Sequence, residues 1–94
     1  MALRLIVPME AAPGKRDELI AAFRTRSPKV RQEPGCEEFE LYQSTERPDQ
    51  MMLIERWADE ATLAAHSELN RQRGNTMADL RTGATQAERY TTQS

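Results

Sequence analysis

The apolar residues of this chain change their period, and proline and glycine mark several of the changes. Leu3, Leu5, Val7 and Met9 alternate with Arg4, Ile6, Pro8 and Glu10. A period of two belongs to a strand with one buried face. Pro8 has no N–H for a ladder, so an edge or a bulge is expected there. Pro13-Gly14 breaks the pattern. From Lys15 the apolar positions Leu19, Ile20, Phe23 and Val30, with Ala22 beside them, fall at helical spacing. Pro28 lies inside this stretch and predicts a kink, or a restart after Ser27. Pro34-Gly35 stops the helix. The period returns to two over Cys36 to Ser44, with Phe39, Leu41 and Gln43 on one face and Glu38, Glu40 and Tyr42 on the other. A loop over Thr45 to Gln50 leads to a third strand from Met51 to Ala58, where Leu53, Glu55 and Trp57 share a face. Asp59 is a suitable N-cap for a second helix that carries Thr62, Leu63, His66 and Leu69 along one side. Gly74-Asn75 weakens it, a helical piece through Met77 and Leu80 follows, and Ala84 to Thr92 reads as a fourth strand.

The order β-α-β-β-α-β predicts an α+β domain over residues 1–94, a four-stranded antiparallel sheet with both helices on one face. The second sheet face then has nothing from this chain to cover it. A domain of this size buries only about 60–65% of its unfolded surface, and Phe, Trp and Tyr make only 5% of the residues. Both points predict a homodimer packed sheet to sheet.

Thirteen basic residues against fifteen acidic ones give a net charge of −2. The basic residues are dispersed among acids, which argues against a nucleic-acid partner. Met1–Glu10 lacks the apolar region of a signal peptide, and no run is long enough to span a bilayer, so a cytoplasmic protein with no membrane partner is expected. The lone Cys36 fits a reducing compartment.

The third strand and second helix place Trp57 and His66, each the only one of its kind, at the same end of the layer. His66 is the candidate acid or base. A lone histidine on an apolar face is more often a partly buried structural residue bonded to backbone. Trp57 is the candidate wall for a planar ligand, and is also a natural core anchor. Glu55 would have a raised pKa if buried, unless an arginine pairs with it. Tyr42 offers a hydroxyl to orient a ligand, or packs at an interface. Leu63 should point at the sheet beside Trp57. Cys36 and His66 are too few ligands for a metal. No phosphate-binding or dinucleotide-binding glycine motif is present.

Pro13-Gly14-Lys15, Glu33-Pro34-Gly35-Cys36, Phe39-x-Leu41-Tyr42 and the run from Glu55 through Trp57, Asp59, Glu60 and Leu63 to His66 together resemble the antibiotic biosynthesis monooxygenase family. The resemblance covers Leu3 to about Leu69. It implies a ferredoxin-like fold dimerised into an α+β barrel, and oxidation of an aromatic, phenolic or quinol-like compound without metal, flavin or other cofactor. The enzyme would deprotonate its substrate, which then passes an electron to O₂. On that pattern His66 would be catalytic, with Trp57, Tyr42, Glu55 and Leu63 around the substrate. Haem-degrading members carry an Asn, a Trp and a His where this chain has Val7, His66 and Thr76, which argues against haem. The run Glu68, Leu69, Asn70, Arg71 and Gln72 should make the pocket mouth unusually polar. An isomerase of a small oxygenated metabolite, or a non-enzymatic binding domain, would use the same scaffold.

Overall fold

The computed structural model describes residues 1–74, 77–83 and 86–92. Strand β1 spans Ala2–Glu10, helix α1 Arg16–Val30, β2 Cys36–Gln43, β3 Gln50–Trp57, α2 Glu60–Arg73 and β4 Glu88–Thr92, with one 3-10 turn at Ala78–Leu80. The strands form one antiparallel sheet in the order β2-β3-β1-β4. This is the four-stranded antiparallel sheet expected from the periodicity, in the ferredoxin-like arrangement that the resemblance implies.

The alternation decides which face is buried. Leu3 and Met9 of β1, Phe39 of β2, and Met51, Leu53, Glu55 and Trp57 of β3 are all buried, and they meet Leu19, Phe23 and Val30 of α1 and Leu63 of α2. The opposite face carries Ile6, Pro8, Met52 and Ile54, flanked by Tyr42 and Tyr90. Tyr42 and Tyr90 are each 48% exposed and Met52 39%.

Three local expectations change. Helix α1 runs through Pro28 to Val30 without restarting. Pro28 stands in its last turn, where Val30 is fully buried and anchors the end. The piece through Met77 and Leu80 is only a 3-10 turn, in keeping with its few apolar residues. Strand β4 begins at Glu88 rather than Ala84; Ala84 itself lies outside the described residues. Pro8 does sit where β1 has an open side, because pairing with β4 ends at Ile6. Its register with β3 is unbroken.

Two features bring the ends of the helices together. Asp59 caps α2 with its carboxylate accepting from the Thr62 N–H at 2.9 Å, and the Thr62 side chain reciprocates in a capping box. Such caps contribute about 1 kcal/mol. Gly35, at φ 80°, lies against this first turn: a Cβ there would stand 2.4 Å from the Thr62 side chain. The Gly35 carbonyl also accepts from the Ala58 N–H at 2.8 Å. The turn after α1 is thereby pressed onto the start of α2, and Glu33, two residues earlier, comes within reach of His66.

Candidate functional site

The inner sheet face and the two helices flank an open cavity of about 580 Å³. Val7, Met9, Phe23, Phe39, Leu53 and Met77 give it apolar walls; Arg26, Glu55, His66, Asn70, Arg71 and Arg81 supply its polar groups. A bulge in β2 between Cys36 and Glu38 sets Cys36 opposite Trp57 and Phe39 opposite Glu55. Bulges of this kind re-aim side chains beside a site.

His66 is buried, as expected for the apolar side of α2. Its ring lies on Trp57 with centroids 4.5 Å apart and planes at 31°, and meets the edge of Phe39 at 5.9 Å. One histidine thus sits in an aromatic slot that fixes its plane.

Hydrogen bonds then fix its protons. Arg26 bonds the Asn70 Oδ1, and a guanidinium can only donate. The Asn70 amide must therefore turn its Nδ2 toward His66, 3.1 Å from Nε2. Nδ2 donates, so Nε2 accepts and carries a lone pair. On the far side Nδ1 lies 2.9 Å from Glu33 Oε1. An ionised carboxylate only accepts, so Nδ1 carries the hydrogen. The His66 and Glu33 side chains are 5% and 11% exposed, which keeps water from competing for this bond. Arg73 stands 3.8 Å from the other Glu33 oxygen. The arrangement is an imidazole with its basic nitrogen at the cavity and a carboxylate behind it.

Glu55 lies 3.9 Å from Nε2 and accepts from the Trp57 indole N–H at 2.9 Å. Burial raises its pKa above the ordinary 4.5; the Trp57 hydrogen bond, then His66 and Arg26, oppose the rise in part. No arginine comes within 4 Å of it among the described residues, so the ion pair weighed above does not form. The raised pKa has a consequence for stability. The protonated form is favoured in the folded chain, so its contribution is complete below pH 4.5. It is lost as pH rises through the folded value. Glu55→Gln keeps an acceptor for Trp57 and does not titrate. Its melting temperature should match the wild type in acid and exceed it at pH 7, the gap opening as pH rises. Equal curves at every pH from 4 to 8 would contradict a raised Glu55 pKa.

The other sequence candidates fall differently. Trp57 does not wall the cavity. It is fully buried behind His66, and Phe23 and Phe39 are the walls. Leu63 points into the core, as expected, but does not line the cavity. Tyr42 is on the wrong face: one step from Leu41 in a period of two, it points to the open side and donates to Glu40 at 2.9 Å. Val7 lines the cavity, while Thr76 lies outside the described residues. Burial raises the Cys36 thiol to about 11, with Glu33 and Glu55 adding, so it is a poor nucleophile. Arg26 was not singled out from the sequence; Asn70 entered only within the polar run at the pocket mouth, and Glu33 only as the first residue of the Glu33–Cys36 motif. Arg26 follows Phe23 by three and Asn70 follows His66 by four, so helical spacing held the signal for both. Glu33 follows the end of α1, where no period says which way its side chain points.

Among the described residues no group of His, Cys, Asp and Glu could hold a metal, and no helix is long and apolar enough to cross a membrane.

No curated protein matches the chain. Several solved structures do. One, a conserved protein of Methanosarcina mazei, superposes with a TM-score of 0.86 at 22% identity over 96% of this chain and 91% of its own, a likeness of fold alone. A Pseudomonas aeruginosa protein is 27% identical, with a TM-score of 0.82 over 99% of this chain and 95% of its own. A candidate antibiotic biosynthesis monooxygenase of Nitrosomonas europaea is 25% identical, with a TM-score of 0.83 over 95% of this chain and 88% of its own. The family model for antibiotic biosynthesis monooxygenase matches residues 2–74, the span that contains β1 to α2 and every residue of the Glu33–His66–Asn70–Arg26 chain. The protein belongs to the antibiotic biosynthesis monooxygenase family.

Proposed function

We propose that this chain is a monooxygenase that needs no metal or flavin and oxidises an aromatic, phenolic or quinol-like compound. The observation that carries this reading is the orientation of His66: Glu33 takes the Nδ1–H, and Nε2, which accepts from Asn70, faces the cavity walled by Phe23 and Phe39. A substrate C–H or O–H acidified by its ring gives its proton to Nε2. The Glu33 carboxylate, almost dry, stabilises the imidazolium that forms. Asn70, released from Nε2, turns an N–H onto the new oxyanion, so no hydrogen bond is lost. The anion passes one electron to O₂, and the substrate radical and superoxide combine into a C–O bond. The peroxide takes the proton back from His66 and loses water, leaving a carbonyl. A ring CH₂ and O₂ thus become C=O and H₂O.

The direct test is an oxygen electrode. The protein, stripped of metal by chelation, should consume one O₂ per anthrone or naphthohydroquinone oxidised. An isomerase would use the same base without taking up oxygen. No O₂ uptake above background with either compound class would overturn the monooxygenase reading.

We propose further that the protein works as a homodimer in the cytoplasm. The open sheet face supports the dimer: Ile6, Pro8, Met52 and Ile54 form an uncovered apolar centre, and stable interfaces of this kind commonly bury upward of about 2,000 Å². Tyr42 belongs to that face rather than to the cavity. A half-buried cysteine with no partner fits a reducing compartment. Sedimentation at micromolar concentration should give the mass of two chains. A monomer whose melting temperature is unchanged on dilution would contradict it.

A further inference from the structure

The cavity has an unequal charge distribution that proton abstraction does not explain. Three arginines, Arg26, Arg71 and Arg81, line it, against one carboxylate, Glu55. This occurs in a chain with more acids than bases. The arginines around the mouth are not answered alike. Arg71 pairs with Glu68 at 2.6 Å and Arg73 approaches Glu33 at 3.8 Å. Arg26 and Arg81 have no carboxylate within 4 Å among the described residues. The lone lining carboxylate is already engaged, since Glu55 accepts from the Trp57 indole and lies 3.9 Å from His66 Nε2.

Arg26 is placed for a ligand rather than for solvent. It lies on the inward side of α1, three residues after Phe23, and is half-buried. It gives one N–H to Asn70, and its buried Nε–H has no partner among the described residues. Burial first, then the charge of Arg73, push its pKa down, with Glu33 and Glu55 opposing in part and Arg81 adding least. A guanidinium has five donors in a fork that matches a carboxylate. A like-charged, under-satisfied pair at the mouth of an apolar cavity is the arrangement an anion relieves.

We propose that Arg26 and Arg81 form a carboxylate subsite, so that the preferred ligand of this cavity is an aromatic acid. Its ring lies against Phe23 and Phe39, its acidic C–H or O–H at His66 and its carboxylate at the two arginines. The proposal deepens the functional reading given above, because it names the substrate class for the same cavity. It stands or falls on binding, not on turnover.

The test compares 3-hydroxy-2-naphthoate with 2-naphthol, which share a ring system and differ by the carboxylate. Fluorescence titration at 50 mM NaCl should show the acid binding at least about tenfold tighter, as one charge-assisted fork supplies. Raising NaCl to 500 mM should erase most of that preference and leave 2-naphthol binding unchanged. Arg81→Gln, at the mouth and away from the His66 hydrogen bonds, should reduce the preference by more than about threefold. Arg26→Gln should do the same, with melting curves confirming the fold. Equal affinity for the two probes in the wild type, or a preference indifferent to salt and to both substitutions, overturns the subsite. Failure of the oxygen-uptake test would leave this binding result standing, and the reverse also holds.

Discussion

Replacing His66 by Gln should lower kcat for an oxidised anthrone or quinol by about 10²–10⁴-fold, the usual worth of a positioned general base. Glutamine is the informative choice. Its amide can donate toward Glu33 and accept from Asn70, so neither buried partner is stranded, and it has no nitrogen that takes a proton. The ring's contact with Trp57 is lost, so some stability goes with it, and the melting curve must show a folded protein before the rate is read. KM should move much less than kcat, because Phe23 and Phe39 still hold the substrate ring. Glu33→Gln should give a smaller loss of the same kind. It keeps an acceptor for Nδ1–H but removes the charge that stabilises the imidazolium. Full turnover by a folded His66→Gln protein would leave His66 as a core residue and remove the mechanism.

The largest effect on stability is expected at Gly35. Gly35→Ala meets two costs together. Its φ of 80° is left-handed, which costs an L-residue about 1–2 kcal/mol. The new methyl would also stand 2.4 Å from the Thr62 Cβ, inside the capping box of α2. Overpacking of this sort adds about 1–3 kcal/mol. A fall in melting temperature of about 10 °C or more should follow in a domain of this length. Gly14→Ala is the control, since Gly14 has a similar φ of 75° and nothing within 4 Å of an added Cβ. It should cost only the backbone share. If the two variants melt together, the packing of Gly35 on Thr62 is not what holds the helix ends in place. The substitution bears on function too, because the same contact delivers Glu33 to His66.

Much of the architecture was legible because it follows from alternation alone. Leu3 to Met9 and Phe39 to Leu41 put apolar side chains at every second position, Met51 to Trp57 does so except at Glu55, and the helices between them announce their starts with acids and a cap. Local events at the ends were not legible. Pro28 fails to break α1 because Val30 beyond it is fully buried. The first residues of the expected fourth strand carry no strong apolar alternation that would fix where pairing begins.

The site was half legible. His66 and Trp57 are nine residues apart across a strand-to-helix turn, and such a turn fixes their proximity. The groups that give His66 its chemistry come from elsewhere. Glu33 is a loop residue 33 positions away, and a loop has no period to say where a side chain points. Arg26 and Asn70 lay on the buried stripes of their helices, where a polar residue among apolar ones marks a cavity. Tyr42 misled because its hydroxyl suggested chemistry, although its own strand's alternation had already put it on the other face.

The central claim is that His66 takes a proton from the bound substrate, and one anaerobic titration reaches it most directly. Anthrone is added to the protein at a pH below its own pKa, without oxygen, and the long-wavelength band of its enolate is followed. The wild type should generate the enolate in proportion to bound ligand, and His66→Gln should bind anthrone without the band. An enolate band of equal strength in both proteins, or none in a wild type that binds anthrone, contradicts the assignment of His66 as the base.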